Sequence, residues 1–307
     1  MNPNVRPDDM KRIVNLLIAA WVFVGLGLHA QTCLPDDVAY RVKSEGFANS
    51  QIEELAQFMT DELGSRLAAS QMKLRAEKMV VAKLAELGLS NPRVEFAFDF
   101  PKGGWDNEKT YVAMTSPYYC SFAANPKAWS GSTNGLVSGE CVVLDVQTMD
   151  DLEKYKGKLA GKVVLMPATQ TYEIEFEPLA SRITEEELEK LAEDSRPSAS
   201  RRRPMVGNWQ SARQLQAAIA NLLKEENVLA VVSGGGTFNV PTSRGVQYKV
   251  GDPEPTPEII LPIEDHGRMV RMISKGTKVE MEMNIKNIFT DNQKINNVIA
   301  EIPGSDP

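Results

Sequence analysis

The sequence predicts an α/β fold, and three observations carry it. Two capped segments of helical period stand near the start of the chain. Short apolar strands alternate with helical segments through the middle. Near each end of that middle region a stretch alternates between large apolar residues and mostly polar ones, the signature of a half-buried strand.

The first helix is signalled by Ser50-Gln51-Ile52-Glu53, a capping box in which Ser50 accepts from the backbone and Glu53 reaches back. Ile52, Leu55, Met59 and Leu63 then share one face, and Gly64 ends the helix. Ser70 caps a second helix that carries Met72, Met79, Leu84 and Leu87 and stops at Gly88. In RVEFAFDF, Val94, Phe96, Phe98 and Phe100 alternate with Arg93, Glu95, Ala97 and Asp99. The loop PKGGWDNE turns that strand back into KTYVAMTS, so 93–116 is expected to be a hairpin.

From Pro117 the texture changes. Tyr118-Tyr119, Trp129 and SGSTNG lead into short apolar strands at Cys141 to Val146 and Val163 to Met166. A short helix, Thr184 to Asp194, and the loop SRPSASRRRP come next. A longer helix, Ser211 to Glu226, puts Leu215, Ile219, Leu222 and Leu223 inward and feeds the strand VLAVVSGGG. A further helix opens with Glu264 and Asp265 and closes with Arg271, Lys275 and Gly276, charges placed as the helix dipole favours. TKVEMEMNIKN then points Val279, Met281, Met283 and Ile285 to one side. Last comes an apolar strand, Val298 to Ile302, running into the turn residues Pro303, Gly304, Ser305 and Asp306.

At 307 residues, 42% hydrophobic and 24% charged, the chain has the composition of an ordinary globular protein. Its first thirty residues stand apart. Met10-Lys11-Arg12 precedes an apolar run from Ile13 to Leu28, and Ala30 offers a small residue for cleavage, so 1–30 read as a signal peptide of an exported chain. That segment holds Arg6, Lys11 and Arg12 against Asp8 and Asp9, so its removal takes the net charge from −7 to −8. Such an acidic product disfavours nucleic acid or an anionic membrane as the main partner.

Export permits disulfides, and three cysteines are present: Cys33, Cys120 and Cys141. Cys120 and Cys141 are expected to form a bridge or to stay as small buried hydrophobes, with Cys33 left over. Ala30-Gln31-Thr32-Cys33 matches a lipoprotein box poorly, because Gln31 and Thr32 fill places that want small residues.

Histidine is the decisive shortage. Only His29 and His266 exist, and His29 leaves with the signal peptide. There is no HExxH, no zinc-spaced histidine pair and no CxxC. His266, in IEDHGR, reads as part of a solvated helix start rather than as a metal ligand. Ser233-Gly234-Gly235-Gly236 reads as a loop, since Thr237 to Pro241 follow in place of the helix that a phosphate cradle needs. Arg201-Arg202-Arg203 is flanked by Ser and Pro and reads as a solvated loop. No residue is assigned a catalytic or metal-binding role, and no complete active site is visible.

Four segments, in order, resemble the secreted zinc aminopeptidase and glutamate-carboxypeptidase family, metallopeptidase family 28, in its form with a protease-associated domain insert. Asp61-Glu62-Leu63-Gly64-Ser65-Arg66-Leu67-Ala68-Ala69-Ser70 is similar to the family's D-x-x-G-P-R-L-T-G-S, matching at Asp61, Gly64, Arg66, Leu67 and Ser70 and departing at Ser65, Ala68 and Ala69. Residues 154–165, ending GKVVL, and Leu229 to Gly235 are similar to two strands of the insert. Asn297 to Gly304 resembles the strand that leads into the family's catalytic core. The resemblance implies 31–116 as the N-terminal part of a peptidase domain, 117–287 as the insert and 288–307 as the return strand. In the family two zinc ions are held by His, Asp and Glu, with a separate Glu as general base. All of these lie beyond the return strand, so none carries over to this sequence. The expectation is the front portion of a peptidase that acts on peptides, lacking cofactor ligands of its own. The alternative is an exported, non-catalytic module that binds peptides or proteins.

Overall fold

The computed structural model describes residues 36–167, 176, 178, 180–193, 209–235 and 245–304. The expected signal peptide, His29, Cys33, Arg201 to Arg203 and Gly236 to Pro241 lie outside the described residues. The chain divides into two units, Met1–Gly64 and Ser65–Pro307.

In the first unit, helix α1 spans Asp36–Ala48, and α2, Ile52–Gln57, runs into a π-turn over Phe58–Glu62. The sequence reading did not include α1. It has no apolar face to announce it, and its Tyr40, Val42 and Phe47 are exposed. The expected capping box does not form. Gln51 is the N-cap, and the Ser50 hydroxyl only accepts a long 3.5 Å bond from the Ile52 N–H. Ile52 is exposed, while Leu63, at the end of the π-turn, is buried. The π-turn closes with the Leu63 N–H donating to the Phe58 carbonyl, and Gly64 takes a positive φ of 62° that ends the helix.

The second unit opens with α3, Gln71–Glu86, which begins where the sequence places it: the Ser70 hydroxyl accepts from the Lys73 N–H at 3.0 Å. Strands β1 (Ser90–Asp99), β2 (Gly104–Ser116), β3 (Cys120–Ser121), β4 (Asn125–Pro126), β5 (Val137–Val143) and β6 (Val163–Leu165) follow. Then come α4 (Glu185–Glu193), α5 (Trp209–Glu225), β7 (Ala230–Gly234), β8 (Glu258–Leu261), α6 (Ile263–Ser274), β9 (Glu280–Thr290) and β10 (Lys294–Glu301). Eight strands form a mixed sheet in the order β3-β2-β9-β5-β6-β7-β8-β4. Within it β5, β6, β7 and β8 run parallel, while β2, β3, β4 and β9 pair antiparallel.

β6 and the first three residues of β7 are buried on both faces, as parallel strands covered by helices require. Val163 and Leu165 of β6 and Ala230 and Val232 of β7 pack in one core with Met269 of α6 and with Met281, Met283 and Ile285 of β9. Val164 and Val231, pointing the other way, pack with Leu222 and Leu223 of α5. The alternation read in TKVEMEMNIKN is therefore real, and its apolar half is the core face of β9.

The expected 93–116 hairpin is not formed. β1 pairs with β10, and β2 pairs with β9 from Gly104↔Thr290 to Ser116↔Glu280. The chain between them continues forward: the Phe100 N–H bonds the Gln293 carbonyl, and the segment expected to turn, Gly104 to Glu108, is already strand. The result is a long antiparallel ribbon of β1–β2 against β9–β10. The expected boundary at 117 falls between β2 and β3, which pair with each other, so one sheet runs across it. On β1 the alternation does not yield a buried face. A register shift lies between Phe96 and Phe98, and those side chains are 58% and 55% exposed.

Candidate functional site

The segment 65–70 sets the geometry of a cleft in this unit. The Ser70 N–H bonds the Leu67 carbonyl, and Ala69 takes a left-handed φ of 60° while completely buried. Its carbonyl accepts from the Asn292 side chain at 3.2 Å and packs directly on Gly104, leaving no room there for a Cβ. That contact brings the start of β2 against the start of α3. The Asp106 carboxylate, two residues further along, accepts from the Gln71 N–H at 2.8 Å and the Met72 N–H at 3.3 Å. Ser70 and Asp106 together thus satisfy the open end of α3, with the carboxylate at the positive end of the helix dipole.

The cleft beside this junction has a volume of about 480 Å³. Ser65, Met72, Trp105, Asp106, Asn125 and Lys127 line it. Trp105 is buried and donates its indole N–H to the Ser130 carbonyl at 3.0 Å. Lys127 is paired with Glu258 at 2.9 Å. The charged groups in the cleft are therefore already engaged in holding the framework. A cleft with this mixed apolar and polar lining can bind an extended segment, but it offers no nucleophile beside a base.

The sequence marked Ser70 as a cap and Met72 as part of a helix face, but Trp105, Asp106, Asn125 and Lys127 were not singled out. Asp106 lies in a stretch read as a loop, and its partners are 34 and 35 residues away, a separation that no local pattern reports.

The residues that were weighed are dispersed. His266, read as solvated, is completely buried in the first turn of α6. α6 follows β8 with only Pro262 between them, so its first turn is pressed onto the sheet instead of facing water. Neither ring nitrogen has a hydrogen-bond partner. Burial holds the imidazole pKa below its ordinary value, while the backbone at Met166 and Val232 pulls weakly the other way.

The expected Cys120–Cys141 bridge does not form either, and both thiols are free. Cys120 is on β3 and Cys141 on β5, with β2 and β9 standing between them. Three strand spacings of about 4.8 Å put the two roughly 14 Å apart, about twice what a disulfide spans. Cys141 takes the buried-hydrophobe role, its thiol pushed up to about 12 chiefly by burial. Cys120 lies 3.3 Å from an Arg268 nitrogen, and that guanidinium also pairs with Asp265 at 2.9 Å.

Zinc fits none of this. Among the described residues no three His, Cys, Asp or Glu side chains come together as a metal-holding group. The one described histidine has its ring against Gly234, with no acidic or thiol partner on either nitrogen.

No family model matches the chain, and no curated protein matches it. Solved structures do. A peptidase M28 precursor from Shewanella amazonensis SB2B aligns with a TM-score of 0.52 at 17% identity, over 88% of this chain and 54% of that one. A zinc aminopeptidase from Bacillus subtilis aligns with a TM-score of 0.43 at 12% identity, over 80% of this chain and 44% of that one. An aminopeptidase from Aneurinibacillus sp. strain AM-1 gives a TM-score of 0.37 at 16% identity, over 78% and 45%. The chain spans about half the length of the solved structures it matches. The fold is thus α/β and similar to that of the M28 peptidase precursor. Among the described residues no helix is long and apolar enough to cross a membrane.

Proposed function

We propose that this chain is a portion of a longer exported exopeptidase of the di-zinc aminopeptidase and carboxypeptidase type, and that it supplies scaffold rather than chemistry. The observation that carries the reading is the fold likeness to a peptidase M28 precursor across 88% of this chain but only 54% of that one. The ordered resemblances at 61–70, 154–165, 229–235 and 297–304 support it. On this reading the zinc ligands and the general base belong to sequence following the β10 strand, and 117–287 is the protease-associated-like insert. The exposed apolar side of β1 would be covered by that further part. The signal peptide at 1–30 directs export.

The test compares two proteins: the 307-residue chain and the whole product of its gene. Zinc-dependent release of amino acids from peptides is expected from the longer product and should be lost after chelation. The shorter chain is expected to release none and to retain no stoichiometric zinc after dialysis against chelator. Zinc retention together with hydrolysis by the 307-residue chain would overturn the proposal. N-terminal sequencing of the exported product should begin at Gln31.

One observation favours a second reading, a non-catalytic peptide-binding module: the cleft at Trp105, Asp106, Asn125 and Lys127. That reading gains if the 307-residue chain alone binds an extended peptide saturably and Asn125→Trp abolishes the binding.

A further inference from the structure

Outside the cleft, His266 is the group that ordinary packing explains least. It is 0% exposed, sits in the core layer between α6 and the sheet, and leaves both ring nitrogens unbonded. An apolar side chain of similar size would fill that space without the unmet bonds. The ring lies directly on the β7 backbone: a Cβ on Gly234 would stand 2.9 Å from its Nδ1. There is no room at that contact for water to solvate a charge.

Among the described residues no carboxylate pairs with an imidazolium, and the backbone at Met166 and Val232 favours the charged ring less than burial disfavours it. On α6 itself, Arg268 is turned to Asp265 and Cys120, and Glu264 is exposed. The facing part of β7, Ser233 and Gly234, carries nothing titratable, and neither do Leu261 and Pro262 at the end of β8. Met166, just past β6, and Val232 of β7 reach the ring through their backbone. β5, also packed on α6, brings the buried Cys141 thiol and Glu140, whose carboxylate is held by Lys162 at 2.5 Å.

We infer that His266 makes the seating of α6 on the sheet a proton-sensitive latch, closed when the ring is neutral and opened at the first turn of α6 when it is protonated. Burial depresses the pKa of the ring in the folded state. Below about pH 6.5, the ordinary histidine value, the open form therefore binds more protons than the closed form. Stability of the closed form is full above that pH and is lost as pH falls below it. The first turn responds because His266 lies there, next to the Gly234 backbone.

The experiment uses the full chain, the His266→Leu and His266→Gln variants, and two readouts between about pH 7.5 and pH 5. The first is amide hydrogen exchange of Ile263–Ser274, corrected for intrinsic rate and set against Trp209–Glu225 in the same sample. The second is the NMR titration of the ring protons, which is simple because the whole chain has only two histidines. In the wild type, opening of α6 relative to α5 should rise toward tenfold per pH unit once the open form protonates, and the ring should stay neutral while α6 is closed. Both variants should lose that rise. If either variant fails to fold, the wild-type ratio and the ring titration still decide. A ring titrating near pH 6.5 while α6 exchange stays constant would overturn the latch, as would α5 and α6 opening in parallel.

Discussion

Val163, Val164 and Leu165 on β6 are completely buried, whereas Val94, Phe96 and Phe98 on β1 are largely exposed. Both strands carry large apolar side chains, so the presence of such residues does not separate them. Neighbours do. β6 has β5 and β7 on its two edges, with residues of α5 and α6 over its two faces. Among the described residues β1 has β10 alone beside it, and α3 packs against both strands. Lys73 donates to the Asn296 carbonyl at 3.1 Å, and the Asn296 amide donates to Glu77 at 3.0 Å. A sheet region complete in its own contacts therefore sits beside a ribbon that is not, and an exposed apolar strand with an open edge is a surface that invites another chain.

The largest expected effect contrasts the two directly. Leu165→Ala should cost about 2–5 kcal/mol in urea unfolding, because it leaves a cavity in a closed core. Phe96→Ser with Phe98→Ser should change stability by no more than about 0.5 kcal/mol and should reduce self-association seen by sedimentation. Similar losses in both proteins would break the contrast. Next in size is Gly234→Ala, which pushes a methyl into the His266 ring and should cost about 1–3 kcal/mol. Asp106→Ala removes the acceptor for the Gln71 and Met72 N–H groups and should cost about 0.5–2 kcal/mol. Unlike the phenylalanine changes it touches α3, so it shows how far that helix steadies the ribbon.

Much of the body was legible because its signals are local. The Ser70 cap, the alternation of β9 and the inner face of α5 are each written within a dozen residues. What escaped were the features set by distant partners. The apolar run of β1 and the turn residues 101–104 suggest a hairpin, yet β1 is matched to β10 some two hundred residues away. The environment of His266 depends on how closely α6 follows β8, and the Asp106 bonds depend on a glycine at 104 that lets β2 meet Ala69. The two cysteines look pairable by sequence distance, but strand order separates them.

The smallest expected effect lies in the α5 corner of the body. Glu226 accepts from the Gly157 N–H at 2.6 Å and the Leu159 N–H at 3.2 Å, and these bonds hold its carboxyl below the usual range. A depressed carboxyl pKa stabilises above the ordinary glutamate value, and the effect is lost as pH falls through the folded one. The stability gap between wild type and Glu226→Gln, measured by urea midpoint, should therefore hold above the ordinary value and shrink as pH is lowered from about 5 toward 3. A gap constant across that range would remove the corner from the account.

The most direct measurement is amide hydrogen exchange on β1 and β10 against β6 and β7, in the 307-residue chain and in the whole product of its gene. In the chain alone, Ser90–Asp99 and Lys294–Glu301 should exchange at least about tenfold faster than Val163–Leu165 and Ala230–Gly234. In the longer protein the two ribbon strands should gain protection while β6 and β7 stay unchanged. If β1 and β10 are already as protected as β6 in the 307-residue chain, the ribbon is complete as it stands and the proposal of a covering peptidase portion is contradicted.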